Sequence, residues 1–152
     1  MNTWNPRTSF FDAVHAGSGP GSSLSHNMVT SFAEAGEESV WVGTLSGGLN
    51  HVNLRTRAVV HLRADPSDPS SLNDDRVMSL FTDSNGVLWV GTRASGLNRM
   101  EAGAFRAFRH EASDPTTLSR DSVTAITQTS DGALWVGTCF PSAEVGHFRG
   151  LS

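Results

Sequence analysis

An all-β fold of repeated four-stranded units is what the 152-residue sequence predicts, on three observations. The tetrapeptide Trp-Val-Gly-Thr occurs three times, at Trp41 to Thr44, Trp89 to Thr92 and Trp135 to Thr138, with spacings of 48 and 46 residues. The same two steps separate Leu24, Leu72 and Leu118, and again Val29, Val77 and Val123. Short apolar runs are cut at regular intervals by Gly, Pro, Asn and Asp, too brief for helices and without helical periodicity. A period in the high forties exceeds that of leucine-rich or ankyrin units and falls among four-stranded propeller blades, roughly 40 to 50 residues each. The expected fold is therefore a partial β-propeller of about three four-stranded antiparallel blades, left open.

Each element follows from the repeat. Val77 to Phe81 forms a first apolar strand, a polar turn follows, and Val87 to Val90 leads into the tryptophan strand. Asn85-Gly86 and Asp131-Gly132 predict type I′ turns in this hairpin, since these pairs readily take positive φ. In the first copy Glu38 replaces the glycine and Gly36 stands earlier, which predicts a looser turn. Third strands fit Gly48 to Val52 and Gly96 to Met100, and fourth strands fit Ala58 to Leu62 and Ala104 to Phe108. Asp68-Pro69 and Asp114-Pro115 then end the pairing, because proline lacks a donor and fixes its own φ.

The ends of the chain fall inside units. Trp4 to Thr8 align 48 residues ahead with Val52 to Thr56, and Phe11 aligns with Val59. The expected division is 1–22 as the last two strands of a preceding blade, 23–70 and 71–116 as whole blades, 117–138 as the first two strands of a further blade, and 139–152 as an unmatched tail. A closed ring takes about 4 to 8 blades. The expectation is a fragment of a longer propeller, partnered by its remaining blades or by another copy of the chain, since bare end faces of repeat arrays need covering. Trp4 is expected to cap the first face.

Composition narrows the chemistry. A net charge of −4 lacks the basic stripe of a nucleic-acid groove, so no nucleic-acid partner is expected. Arginine supplies all 11 basic side chains, which removes lysine Schiff bases and lysine phosphate loops. A single cysteine, Cys139, forms no internal disulfide. No run of about 18 apolar residues spans a membrane, so no membrane contact by this segment is expected. The N-terminus carries no secretory-signal pattern.

The motifs resemble the two-component regulator propeller repeat. Ser23-Leu24, Ser71-Leu72 and Thr117-Leu118 open the units, Asp83, Asn85 and Gly86 form a turn, and Gly47-Gly48-Leu49-Asn50 follows the Trp-Val-Gly-Thr strand. The resemblance covers roughly residues 2 to 138, with several elements recurring in order and in phase. It implies a sensor domain of bacterial two-component signalling, placed outside the cytoplasm, in the periplasm, with an oligosaccharide among its ligands. This sequence carries no output element of such sensors.

Each candidate site has a plain structural reading beside it. Trp41, Trp89 and Trp135 occupy equivalent positions in every unit, which favours packing between blades over stacking on a sugar. Gly43-Thr44, Gly91-Thr92 and Gly137-Thr138 read as sites of close strand approach. The acidic loops, Asp65 to Asp75 and Asp114 to Asp121, lack the order of a calcium loop and read as blade connections. Six histidines are scattered without metal-ligand spacing, so no metal, cofactor or catalytic residue is assigned. Asn50, His51, Asn98 and Arg99 share repeat positions and form the expected ligand-facing polar row, with Arg93 as an outlying candidate. Carboxylate neighbours such as Glu37-Glu38 and Asp74-Asp75 point apart in extended chain, which argues against acid–base catalysis. The leading expectation is a binding and sensing module without enzymatic activity. Two alternatives stay open: a fragment of a propeller enzyme, lyase or glycosidase-like, and a truncated gene segment without independent activity.

Overall fold

The computed structural model describes residues 1–5, 10–13, 21, 23–139 and 146–149, with backbone alone for 3–5, 10–13 and 146–149. All thirteen described elements are strands. Strands β1 (Asn2–Asn5) and β2 (Phe10–Ala13) form a hairpin. Strands β3 (Val29–Glu34), β4 (Ser39–Thr44), β5 (Leu49–Asn53) and β6 (Val59–Leu62) form an antiparallel sheet in chain order. Strands β7 (Val77–Thr82), β8 (Leu88–Thr92), β9 (Leu97–Glu101) and β10 (Ala104–Phe108) repeat it. The last sheet has β11 (Val123–Gln128), β12 (Leu134–Thr138) and β13 (Gly146–Arg149). The first strands β3, β7 and β11 stand side by side, so the sheets stack as blades around one edge and leave the array unclosed.

The repeat is kept down to register. In the hairpin of β1 and β2, Trp4 pairs with Phe11, as Val52 pairs with Val59 in the next sheet. The Trp4 side chain, expected to cap the first face, lies outside the described residues. Each first strand carries one bulge, between Val29 and Ser31, Val77 and Ser79, and Val123 and Ala125. In the tail that matches no earlier unit, Gly146–Arg149 adds a third strand to the last sheet. Sequence comparison missed it because its side chains, Gly-His-Phe-Arg, share no signature with Leu-Asn-His-Val or Leu-Asn-Arg-Met.

The turns differ from the expected type I′. Only Gly86 and Gly132 take positive φ, at 77° and 85°, while Asn85 and Asp131 do not. The Gly86 amide donates to the Asp83 carbonyl (2.9 Å) and the Asp83 amide to the Val87 carbonyl (2.9 Å), a longer loop closed by a glycine bulge. The Asp83 carboxylate decides this by accepting from the Asn85 and Val87 amides, an Asx turn that keeps Asn85 out of the left-handed region. Positive φ at both central residues, the type I′ pattern, occurs instead at Ala102 (49°) and Gly103 (86°), between β9 and β10.

Packing alternates by face, because successive strand residues point to opposite sides of a sheet. Leu80, Leu88, Val90 and Phe105 of the middle sheet meet Leu49, Trp41 and Leu62 of the sheet before it. Trp89 and Leu97 on the other face meet Leu118, Val123, Leu134 and Val136. Strand β8, covered on both sides, is buried at every residue. The glycines of the first two repeated tetrapeptides, Gly43 and Gly91, let the sheets close. A Cβ at Gly91 would stand 2.2 Å from Ser79 Oγ and 2.6 Å from Val123 Cγ1, so only glycine fits against the next blade.

The threonine that follows closes the hairpin into the third strand. Thr44 Oγ1 donates to the Gly48 carbonyl (3.0 Å) and accepts from the Gly47 amide (3.1 Å). Thr92 repeats this with Gly96 (2.9 Å) and the Ser95 amide (3.1 Å). The Gly48 and Gly96 amides reach the Asp75 and Asp121 carbonyls in the loops leading to the next blade, which ties the hairpin to its neighbour.

Candidate functional site

Each tryptophan of the repeated tetrapeptide has its third-strand partner fixed by register: Trp41 pairs with His51, Trp89 with Arg99, and Trp135 with Arg149. The His51 ring packs tilted on Trp41 with centroids 4.5 Å apart, and the Arg99 guanidinium lies 5.6 Å from the centre of the Trp89 ring. A cation over an indole is attracted by the negative face of the ring. A largely buried indole also needs an acceptor for its N–H. Trp89 Nε1 donates to Asp83 Oδ2 (2.9 Å), and Trp135 Nε1 to Thr129 Oγ1 (3.1 Å). The same repeat position holds Ala35 in the first complete sheet, where no side-chain acceptor is possible.

The expected polar row divides into two. Asn50 and Asn98 are fully buried, so they face the interior and not a ligand. The reason is strand alternation: a residue and its neighbour point to opposite faces, and Asn and His or Arg cannot share one. Asn50 Oδ1 accepts from the Ser25 amide (2.9 Å) and its Nδ2 donates to the Val42 carbonyl (3.3 Å). Asn98 Nδ2 donates to Asn73 Oδ1 (2.8 Å), and Asn73 in turn donates to the Ser95 carbonyl (2.6 Å). These amides pin each third strand to the loop that begins its own blade. His51 and Arg99 remain half-buried on the other face. Arg93 is exposed after β8, its amide bonded to the Arg76 carbonyl (2.9 Å), and stands apart from them.

The acidic loops are occupied by their own turns. Asp68 Oδ1 accepts from the amide (2.9 Å) and hydroxyl (2.6 Å) of Ser70, and Asp114 does the same with Thr116 (2.9 and 2.6 Å). Hydrogen bonds from Thr116 hold the Asp114 carboxyl below its ordinary value, and those from Ser67 do so for Asp65. Asp74 is buried and forms a two-pronged pair with Arg76, Nε to Oδ1 and Nη2 to Oδ2, both 3.0 Å. Burial pushes its carboxyl up, but the hydrogen bonds and charge of Arg76 outweigh it and hold the value down.

The structure assembles one further group around Arg99. A hollow of about 220 Å³ is lined by Asp83, Trp89, Arg99, Arg106, Phe108 and Gln128, between the middle sheet and the first hairpin of the last. The Ser84 amide donates to Gln128 Oε1 (2.9 Å) across this gap and holds the two walls together. Arg106 lies on β10 directly opposite Arg99, with its guanidinium 5.2 Å from the Phe108 ring centre. Arg99 Nη1 meets Glu101 Oε1 at 2.7 Å. Burial pushes the Asp83 carboxyl up, yet bonds from the Trp89 indole and the Val87 and Asn85 amides, with the Arg99 charge, outweigh it and keep it low. Of the expected ligand-facing residues Arg99 alone lines this hollow, beside Trp89. Arg106, Gln128 and Asp83 went unnoticed as a group because they come from three strands or turns and only pairing brings them together.

Comparison with known proteins agrees with this architecture. Residues 71–94 and 117–140 each match the family described as two component regulator propeller. No curated protein matches the chain. Among solved structures, it is similar to one described as the extracellular domain of hybrid two component system BT3049 from B. thetaiotaomicron, with TM-score 0.72 and 23% identity over 86% of this chain and 18% of that one. A second, described as the extracellular domain of hybrid two component system BT4673 from the same organism, gives TM-score 0.62 and 20% identity over 83% of this chain and 17% of that one. At such identities the likeness shows a shared fold, and the chain spans less than a fifth of either structure. The two matched segments begin successive stacked blades of one register, so residues 71–94 and 117–140 are similar to two component regulator propeller repeats.

Proposed function

We propose that the chain is part of the ligand-sensing propeller of a bacterial two-component sensor, working in the periplasm or otherwise outside the cytoplasm, and that it makes no chemistry of its own. The observation that carries this reading is the agreement of the blade array, over 86% of the chain, with an extracellular domain of a hybrid two component system. The side chains around the indoles support binding over catalysis. Carboxylates near them, such as Asp83, accept structural hydrogen bonds and are not poised beside a nucleophile. The hollow lined by Trp89, Arg99 and Arg106 is the candidate ligand site, and further blades or a second copy of the chain are the candidate partners. An oligosaccharide fits the family resemblance.

Fractionation of the source bacterium tests the compartment. The protein carrying this chain should become sensitive to added protease once the outer membrane is opened, with the inner membrane intact. Protection until the inner membrane is also lysed would contradict the proposal.

A further inference from the structure

We infer that the hollow beside Trp89 takes a planar carboxylate group, held by Arg99 and Arg106. The inference rests on reading this hollow as a ligand site. Arg99 and Arg106 are cross-strand partners, and like charges placed directly opposite destabilise a sheet unless something neutralises them. In the preceding sheet the same two positions hold His51 and Val60, so the pair belongs to this blade alone among the two complete ones.

The neighbouring acids answer Arg99 and leave Arg106. Glu101 meets Arg99 at Nη1, and Asp83, whose charge also acts on Arg99, accepts from the Trp89 indole and two amides. Arg106 forms no ion pair with a described residue, so its charge is the one left for a partner to answer.

Geometry selects the kind of partner. Both guanidinium groups lie near an aromatic ring, Arg99 by Trp89 and Arg106 by Phe108, so an added ring or sugar face finds these aromatic surfaces already taken. What remains on an arginine so placed is the edge of its fork, with donors spaced to meet two carboxylate oxygens at once. At about 220 Å³ the hollow suits a small acid or the acidic end of a larger molecule.

The test is an NMR titration of the full chain with malonate, and with glucose and sulfate at matched ionic strength, following the Trp89 indole and the Arg99 and Arg106 side-chain signals. Malonate should shift these signals saturably, and Arg106→Gln should weaken that binding about tenfold or more. Arg106 is exposed, so the variant should fold, which an unchanged spectrum elsewhere verifies. Arg106→Lys keeps the charge but loses the fork, and should restore only part of the affinity. Equal shifts from sulfate would overturn the selection for a planar group. Shifts from glucose without any from malonate would overturn the carboxylate inference and leave the ligand site standing. No shift from any of the three would overturn both, with the compartment test above unaffected.

Discussion

Gly43 and Val77 lie on adjacent sheets so closely that a Cβ on the glycine would stand 2.6 Å from Val77 Cγ1. The same glycine of the next repeat meets Val123 at the same distance. The contact explains why the tetrapeptide recurs: tryptophan fills the space toward the next blade, and glycine, on the same face, permits that blade's first strand to come near.

Gly43→Ala should therefore destabilise the fold by overpacking, by about 1–3 kcal/mol. Its cost should fall in a Val77→Ala background, where the clashing methyl is gone, giving a coupling of at least about 0.5 kcal/mol in a double-mutant cycle. Urea unfolding of the four proteins measures it, and strict additivity would count against the close approach.

Asn50→Ala should act on stability. The substitution leaves the half-buried Ser25 amide without its acceptor and removes the bond to the Val42 carbonyl, and costs about 1–3 kcal/mol. Thermal unfolding reads this directly. A variant as stable as the parent would return Asn50 to the surface role that the sequence suggested.

Acid should loosen the blade through Asp83. Its folded carboxyl titrates below the ordinary 3.8, so its contribution is present in full above that value and drains away as pH falls through the lower folded value. Asp83→Asn should flatten part of the stability loss below about pH 4, with the Asp74 share remaining. Melting curves from pH 2 to about 6 for the two proteins check the sign. An unaltered profile would mean that the Asp83 charge is not held by the Trp89 indole and its turn.

The first complete sheet leaves apolar surface open. Phe32 is 50% exposed, whereas Leu80, at the same repeat position one sheet on, is 8% exposed under its neighbour. As a proposal about partners, the chain should self-associate at micromolar concentration through this face. Phe32→Ser should shift light scattering toward monomer. A parent chain that stays monomeric under the same conditions would contradict it.

How much of this was legible in the sequence depends on what encodes each feature. The blades were legible because the indole, the glycine and the threonine serve contacts that recur in both complete sheets, so their spacing is the fold. Turn type was not, since Asn85-Gly86 favours one geometry locally and the Asp83 carboxylate, two residues earlier, imposes another. The last strand escaped because backbone pairing, with no shared side-chain signature, places Gly146–Arg149 beside β12. The candidate site was half legible. Repeat phase located Arg99 beside Trp89, but it treated Asn98 and Arg99 as one row, and strand alternation sends them to opposite faces. Arg106 lies in a fourth strand whose residues vary between copies, so only register reveals it opposite Arg99.

Stacked sheets in one register are the central claim, and a nuclear Overhauser measurement between the Gly43 α-protons and the Val77 methyls tests it most directly. The two residues lie 34 positions apart in the chain and on different sheets, so only blade-on-blade packing brings them together. A strong cross-peak is predicted, matched by one between Gly91 and Val123. Val77 methyls that instead contact water, with no cross-peak to Gly43, would contradict the account.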